Sequence, residues 1–290
     1  MSQVTVGVLH PGEMGASVGA AARSGDADVV WASEGRSEST QARAAAAGLR
    51  DVGTLQNLVE ASEIILSVCP PGAAADVAHA VASYRFARVY VDANAVSPEM
   101  ARRVGAIVEK GGATFVDGGI IGPPARSAGS TRMYLSGPAA QQVAALFTAG
   151  PLDVIVLEGG VGTASALKVA FASYTKGTAA LLMAIRAFAR AEGVDAALLQ
   201  EWERALPGLP GQSEGAVRGS ARKAWRFVGE MEEIATAFKA AGLPDGFHRA
   251  AAELYSRLER YKDTDKPPSL EEATAVILQL SQFEKERRPR

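Results

Sequence analysis

Two lysines in a long apolar segment are the residues whose chemistry stands out first. Lys168 and Lys176 lie in the alanine-rich stretch 163–192, which has helical periodicity. An ammonium group is costly to bury unless it is paired or lines a cleft. Burial or a neighbouring cation also lowers the pKa of a lysine, so that it can exchange a proton with a substrate. We therefore predict that Lys168 is a general acid/base.

The second lysine follows eight residues later in the same segment. At 3.6 residues per turn it lies about 80° round the helix from the first. We expect Lys176 to line the same cleft, where it would lower the pKa of Lys168 or hold an anionic substrate group. Two simpler interpretations stay open: Lys168 snorkels to solvent, and Lys176 forms a surface or interdomain ion pair.

The stretch VGVLHPGEMGASVG at 6–19 has the pattern of a strand, a tight turn and a helix. The start of such a helix binds anions, because its first N–H groups are unpaired and its dipole is positive there. Gly12 allows a pyrophosphate to approach, and Gly15 leaves room for helix packing. His10 stands where the dinucleotide fingerprint has its first glycine, so a turn without ligand is the alternative. The residues predicted to contact a dinucleotide here are His10, Pro11, Gly12, Glu13 and Met14.

The next strand ends in WASEGRSEST, which bears on the choice of cofactor. In a dinucleotide site an acidic residue at this place binds the ribose 2′-hydroxyl of NAD, and an arginine accommodates the 2′-phosphate of NADP. Both Glu34 and Arg36 are present. Arg36 with Ser33 and Ser37 would form a phosphate cradle, so NADP(H) is predicted over NAD(H). The alternative is that Arg36 is an ordinary exposed cation.

These residues must be positioned by an alternation of strands and helices. Apolar strands separated by alanine-rich helices predict a parallel sheet covered on both faces. No strand is predicted after Gly159-Gly160, so an α/β domain over 1–158 and an all-α domain over 159–290 are expected. The predicted strands are 4–9, 27–33, 63–68, 88–93, 113–118 and 153–158, and the predicted helices of the second domain are 163–192, 195–205, 213–241, 245–262 and 269–286.

Composition excludes several classes of protein. A formal net charge of −2 over 290 residues argues against nucleic-acid and membrane-surface partners, which usually need a basic face. A lone cysteine, Cys69, favours a reducing compartment, and no signal-peptide pattern is present. We expect a cytoplasmic protein with a small-molecule substrate. No His, Cys and carboxylate cluster has the spacing of metal ligands, so no metal is predicted.

Five segments together resemble one family. They are GVLHPGEMG, SVCPPGAAADV, VDANAVSP, FVDGGIIGPP and GGVGTASALK, and they occur in the family's order over nearly the whole chain. The chain resembles the 3-hydroxyisobutyrate and 6-phosphogluconate dehydrogenases, in particular the subgroup whose C-terminal domain has unknown function. The resemblance implies a Rossmann-type N-terminal domain, a helical C-terminal domain, hydride transfer, and a homodimer formed by the helical domains.

The resemblance also assigns roles to particular positions. Lys168 matches the family's catalytic lysine. Glu230, on a helix implied to face the cleft, would orient a cationic substrate or pair with a lysine, although a solvated acidic face is the alternative.

Three further cofactor contacts are expected from their positions after predicted strands. Asn94 follows the strand at 88–93, where a side chain could reach the nicotinamide ribose. Pro70, with Pro71, would shape the loop along the cofactor, and Cys69 in that loop is expected to be a small buried side chain rather than a nucleophile.

The substrate segment departs from the family pattern. Where the family has a serine that holds a carboxylate this chain has Ile121, and Phe171 replaces the asparagine three residues after the lysine. A bulkier or more apolar substrate is therefore predicted. The predicted substrate contacts are Gly119, Ile120, Ile121, Gly122, Phe171, Tyr174 and Glu230. An alcohol dehydrogenase is the first hypothesis; an imine reductase and a non-catalytic NADP-binding sensor or scaffold are the alternatives.

Overall fold

A computed structural model describes residues 3–279 of the chain. The chain divides into two compact units, with the division between Val169 and Ala170. This division falls inside a helix that begins at Thr163. The helix starts soon after Gly159-Gly160, beyond which no strand was predicted.

The first unit is built on one eight-stranded sheet. Its strands are β1 (Thr5–Leu9), β2 (Asp28–Trp31), β3 (Arg50–Asp51), β4 (Ile64–Ser67), β5 (Val89–Asp92), β6 (Thr114–Ile121), β7 (Thr131–Ser136) and β8 (Leu152–Val156). Their order is β3-β2-β1-β4-β5-β6-β7-β8. All neighbours are parallel except β6 and β7. The predicted parallel sheet is therefore confirmed for most pairs, but β3 and the antiparallel β7 were not predicted.

Helices cover both faces of this sheet. They are α1 (Glu13–Ser24), α2 (Glu38–Ala46), α3 (Leu55–Ala61), α4 (Ala74–Ser83), α5 (Pro98–Lys110) and α6 (Ala140–Ala144). Alternate strand residues enter two separate cores, as the period of two in a strand requires. In β4, Ile64 and Leu66 pack with α1 and α6, and Ile65 packs with α3, α4 and α5.

The helical part of the chain follows the predicted order with one correction. Its helices are α7 (Thr163–Ala191), α8 (Asp195–Ala205), α9 (Leu209–Ser220), α10 (Ala224–Ala240), α11 (Gly246–Arg257) and α12 (Leu270–Leu278). The single helix predicted at 213–241 is wrong, because a 3₁₀ turn at Ala221–Lys223 separates α9 from α10. The end of the helix predicted at 269–286 lies outside the described residues. None of the helices between residues 3 and 279 is long and apolar enough to span a bilayer.

Candidate functional site

The strand order creates a crevice at the carboxyl edge of the first unit. From β1 the chain proceeds outward to β2 and β3, and then returns to place β4 on the other side of β1. Loops leaving β1 and β4 therefore diverge, and ligands of open α/β sheets bind at such a switch point. The predicted dinucleotide turn, 10–12, is the loop after β1, and Cys69 and Pro70 lie in the loop after β4.

The turn after β1 adopts the conformation that a glycine normally provides. His10 has φ of 62°, in the left-handed region that L residues rarely adopt. Its carbonyl accepts the N–H of Gly12 at 2.7 Å, and a Cβ on Gly15 would lie 2.6 Å from the same oxygen. The turn therefore packs directly on α1, and Gly15 is required there.

Gly12 forms the N-cap of α1 without a side chain to cap it. Its φ is −67°, so the backbone does not require glycine, and a Cβ there would meet nothing within 4 Å. The first N–H groups of the helix have no intrahelical acceptor, and no side chain caps them. This cradle fits a phosphate group.

His10 is neutral in this setting. Burial and then the charge of Arg36 lower its pKa from 6.5 to about 4. Its Nδ1 is buried and has no hydrogen-bond partner among the described residues. Pro11 is buried beside it, Glu13 is exposed at the start of α1, and Met14 packs against the core. The contacts predicted for these residues with a cofactor stay predictions.

Both serines of the phosphate cradle predicted after β2 have hydrogen-bond partners within the protein. Ser37 is the N-cap of α2, and its Oγ accepts the N–H of Thr40 at 3.4 Å. The N–H of Ser33 donates to Asp51 Oδ1 at 3.2 Å, and the side chain of Ser33 bonds to the same carboxylate. Burial raises the pKa of Asp51, but hydrogen bonds from Ser33 and the backbone outweigh it and hold the pKa below its usual range. Both serines are thus engaged within the protein, and an unforeseen carboxylate lies beside them.

Arg36 remains as the cation of this region. It is half-buried rather than an exposed loop cation. Its charge lowers the pKa of His10 and opposes the rise in the pKa of Cys69, so the guanidinium lies near the loops after β1 and β4.

Asn94 holds two of the crevice loops together. It is 2% exposed, and its Oδ1 accepts the N–H of Cys69 at 2.5 Å. Its Nδ2 donates to Asp92 Oδ2 at 2.9 Å and to Ser67 Oγ at 3.2 Å. Because these bonds engage both ends of the amide, the predicted contact of Asn94 with a ribose is not supported. The residue instead ties β4 to the end of β5.

Two groups of this network have displaced pKa values. Burial, and then the charge of Asp117, raise the pKa of Asp92 from 3.8 to about 7 against the hydrogen bonds from Asn94. Burial and the charge of Asp92 raise the pKa of the Cys69 thiol from 9.0 to about 11. Both effects favour the neutral thiol at Cys69, which is half-buried, over the nucleophilic thiolate.

Lys168 lies against the carboxyl end of β6. Its Nζ donates to the carbonyl oxygen of Ile120 at 2.5 Å, and its side chain is half-buried. Gly119 makes this approach available, since a Cβ there would lie 2.8 Å from the oxygen of Ala164 and 3.1 Å from Cβ of Lys168. Ile121, which replaces the family's serine, is also buried on this strand. Lys168, the predicted acid/base, therefore contacts β6 within the first unit.

Sequence reasoning missed the carboxylate that anchors the start of α7. Asp117, on β6, is fully buried, and its Oδ2 accepts the N–H groups of Gly162 and Ser165, both at 3.0 Å. Its Oδ1 accepts the hydroxyl of Ser165 at 2.5 Å. Ser136 donates to Asp117 Oδ2 at 3.1 Å. The available signal was an acidic residue inside the apolar run ATFVDG, because a buried carboxylate needs several donors.

In the second unit, Lys176 is bound by a carboxylate. Its Nζ lies 2.8 Å from Glu230 Oε2, with side chains 14% and 10% exposed, and 5.0 Å from the ring centre of Phe227. Phe171 and Tyr174 are exposed. The pairing of Glu230 with a lysine, which the sequence left open, is therefore formed, but the pair is largely buried and lies within the second unit, so it is not the surface or interdomain pair considered for Lys176. The functional roles of these residues stay predictions. No group of His, Cys, Asp and Glu in the part of the chain described here has the arrangement of a metal site.

Comparisons with known proteins agree with this architecture. Residues 5–149, half of the chain, match the NAD binding domain of 6-phosphogluconate dehydrogenase, and residues 189–258 match a domain of unknown function. An uncharacterized 28.5 kDa protein of Methanothermus fervidus is 34% identical over 168 residues, which cover 58% of this chain and 64% of that protein. The match thus spans a little less than two thirds of that relative.

Solved structures share the fold over most of the chain. A conserved protein of unknown function, described as similar in structure to 3-hydroxyacid dehydrogenases, is 27% identical (TM-score 0.67; 89% of this chain, 98% of that chain). A 3-hydroxyisobutyrate dehydrogenase of Mycobacterium tuberculosis is 17% identical (TM-score 0.68; 99% and 100%). An imine reductase of Streptomyces aurantiacus is 21% identical (TM-score 0.52; 96% and 100%).

These matches confirm the resemblance and the Rossmann-type fold that the sequence indicated. The chain belongs to the family defined by the NAD binding domain of 6-phosphogluconate dehydrogenase.

Proposed function

We propose that this protein is an NADP(H)-dependent oxidoreductase that interconverts an alcohol and a carbonyl group on a small, partly apolar substrate. The observation that carries the proposal is the position of Lys168. Its ammonium group donates to the carbonyl oxygen of Ile120 at the carboxyl end of β6. It lies in the same compact unit as the uncapped start of α1 at Gly12.

The residues present fit a dinucleotide. The uncapped start of α1 with its open space at Gly12 suits the pyrophosphate, and Arg36 supplies a cation near the same loops. When bound, the nicotinamide supplies or accepts the hydride. The preference for the 2′-phosphorylated form rests on Arg36, since the two serines of the predicted cradle are engaged elsewhere.

Lys168 is proposed to move the proton that accompanies hydride transfer. In the reducing direction its ammonium group donates a proton to the oxygen of the former carbonyl; in the oxidising direction the neutral amine accepts the hydroxyl proton. Ile120 O fixes the direction of the amine by accepting one of its hydrogen bonds. A half-buried site lowers the local dielectric and strengthens this interaction with the substrate oxygen.

The substrate is proposed to be less polar than a simple hydroxy acid. Ile121 and Phe171 stand where the related dehydrogenases are expected to hold a carboxylate, and neither side chain has a hydrogen-bond donor. A carboxylate would find no hydrogen-bond donor at either side chain, and against the buried Ile121 it would also lose its hydration, which is costly. An aryl or alkyl ketone and the corresponding alcohol suit these positions better.

The test begins with cofactor binding to the purified protein. Binding of NADPH should quench the protein fluorescence and shift the NADPH emission to the blue, and failure to bind either NADPH or NADH contradicts the proposal. NADP⁺ reduction is then screened over hydroxy acids, polyol phosphates and aryl alcohols, and NADPH oxidation over ketones. We expect turnover with apolar alcohols or ketones. Binding without turnover on any of these would favour a sensor or scaffold.

Imine reduction is the second candidate. The apolar replacements at Ile121 and Phe171 favour it, because an imine carries no carboxylate to be held. The fold is also shared with imine reductases. Cyclic imines are therefore included in the NADPH-oxidation screen, and a preference for them over ketones of the same size would select this candidate.

We further propose a homodimer formed by the helical unit. Tyr174, Leu181 and Phe188 recur at intervals of seven on α7 and are 72%, 45% and 64% exposed. Residues seven apart lie on one helix face, and large exposed apolar side chains in such a stripe mark an interface. Light scattering should give a dimer for the wild type and a monomer for Phe188→Glu. A wild-type monomer at micromolar concentration would contradict the proposal.

A further inference from the structure

The geometry points to Asp117 as the residue that positions Lys168, acting through the first turn of α7. This inference rests on the proposed role of Lys168 as the acid/base. Asp117 is a positioning residue here, because the contacts described for its carboxylate are to the start of the helix and to Ser136.

The first turn of α7 is capped from a distant strand. The N–H groups of Gly162 and Ser165 donate to Asp117, and the N–H of Ala164 donates to Ser136 Oγ at 3.1 Å. Helix starts leave such N–H groups without intrahelical acceptors. Here two side chains from β6 and β7 satisfy three of them, and the negative charge also lies at the positive end of the helix dipole.

The hydroxyl of Ser165 adds a fixed direction to this anchor. It donates to Asp117 Oδ1 while its own N–H donates to Oδ2, so Ser165 is held at two points by one carboxylate. Two contacts to one planar group restrict both the position and the rotation of the helix start. Lys168 lies three residues after Ser165, on the same face of α7. The rotation that suits Ser165 therefore also turns Lys168 towards β6.

One segment of β6 carries three parts of this arrangement. Asp117 anchors the start of α7, Gly119 allows the backbones to approach, and Ile120 accepts the hydrogen bond from Lys168 Nζ. A shift of the helix along or around its axis would change the distance from Nζ to Ile120 O directly. Gly118 adds a constraint on the other side, since a Cβ there would lie 3.0 Å from the oxygen of Asp92. The segment is therefore fixed between β5 and α7.

A first experiment follows Lys168 without any substrate. Trinitrobenzenesulfonate labels lysine amines, and peptide mass spectrometry gives the rate at each lysine of the full-length protein. Ser165→Ala removes one hydrogen bond to the carboxylate, and Asp117→Asn places an amide donor against N–H donors. Both should raise the labelling rate of Lys168 roughly tenfold relative to Lys176 in the same sample.

The matched control is Ser62→Ala. Ser62 is also a fully buried serine, and its Oγ donates to Leu58 O at 2.6 Å just before the amino end of β4. The Ser62→Ala variant should lose about as much folding stability as Ser165→Ala, but the labelling rate of Lys168 should not change. Unchanged labelling of Lys168 in Ser165→Ala, or an equal rise in Ser62→Ala, would overturn the positioning role.

A second experiment uses turnover of the substrate found in the NADPH-oxidation screen. Ser165→Ala should lower kcat roughly tenfold, with KM and NADPH binding little changed. In the Lys168→Ala background the same change should have no further effect, because the residue to be positioned is gone. An equal fold-loss in both backgrounds rejects the positioning role and leaves the proposed function intact. Full turnover in Lys168→Ala alone rejects the proposed function itself.

Discussion

Lys168 Nζ donates to the carbonyl oxygen of Ile120 at 2.5 Å, so the helix that carries the lysine is joined to the edge strand of the parallel region. The contact depends on Gly119, where a side chain would collide with the backbone of α7. The proposed acid/base is thereby held against the sheet, as precise proton transfer requires.

The cofactor preference should depend on two opposite charges near the crevice. Arg36→Ala should weaken NADPH binding by roughly tenfold or more while changing NADH binding little, because only NADPH carries the 2′-phosphate. Asp51→Asn should act in the other direction, since it removes a negative charge beside Ser33. Fluorescence titration of both cofactors measures the effects.

Asp28→Asn provides the control for these variants. Asp28 pairs with Arg50 at the start of β2, at the other end of that strand from Ser33. It should leave the ratio of the two dissociation constants unchanged. Equal losses of NADPH and NADH binding in Arg36→Ala would contradict the NADP(H) assignment.

Stability should show two opposing dependences on pH. The pKa of Asp92 is raised from 3.8 to about 7, so its contribution is present below about pH 4 and is lost as pH rises towards 7. The pKa of His10 is lowered from 6.5 to about 4, so its contribution is present above pH 6.5 and is lost as pH falls towards 4. The two nearly offset each other between pH 4 and 6.5.

His10→Asn should expose the contribution of Asp92. Asparagine tolerates a positive φ and does not titrate. Urea unfolding should then show stability falling by roughly 2–3 kcal/mol between pH 4.5 and 6.5 relative to the wild-type profile. His79→Asn, at an exposed position on α4, should keep the wild-type profile. A wild-type profile in His10→Asn would show that His10 is not held neutral by the fold.

The Lys176–Glu230 pair should stabilise the helical unit. Its side chains are largely buried, so removing one partner leaves a desolvated charge. Lys176→Met should cost about 3 kcal/mol in urea unfolding, and Lys176→Met with Glu230→Leu should recover much of that loss. The exposed pair of Arg218 and Glu214 serves as the control, since Glu214→Gln should cost less than about 1 kcal/mol. Equal costs at both pairs would contradict the structural importance of the buried one.

The apolar replacements should set substrate preference. Ile121→Ser with Phe171→Asn introduces hydrogen-bonding groups at the two positions where the related dehydrogenases are expected to hold a carboxylate. We expect kcat/KM for hydroxy acids to rise at least about tenfold relative to apolar alcohols, because a carboxylate then finds donors. Ile121→Val is the control and should keep the apolar preference. An unchanged ratio in the double variant would show that these positions do not contact substrate.

Local sequence patterns predicted much of the fold for clear physical reasons. Apolar strands such as 63–68 and alanine-rich helices have strong periodicity, so their type and order are confirmed by β4 and its neighbours. Helix starts are local too: in α5, Ser97 is the N-cap and Pro98 follows in the first turn. The strand β3 has only two residues, Arg50 and Asp51, and both are exposed, so hydrophobic periodicity gives no signal for it.

The candidate site was less predictable, because it depends on contacts between distant segments. The cluster of Asp117, Ser136 and Ser165 joins residues up to 48 positions apart, and no local spacing indicates it. Ser33 and Ser37 have the right residue types for binding phosphate, but Asp51 and the start of α2 use them. Residue type thus predicted the kind of chemistry, and only the fold decided which polar groups remain for a ligand.

Turnover and cofactor binding of Lys168→Ala test the central claim most directly. The measurement compares kcat on the substrate identified by screening with the dissociation constant for NADPH, in the variant and the wild type. The proposed acid/base role predicts a loss of kcat of at least about a hundredfold, with NADPH binding within about twofold of the wild type. Wild-type turnover in Lys168→Ala would contradict the account.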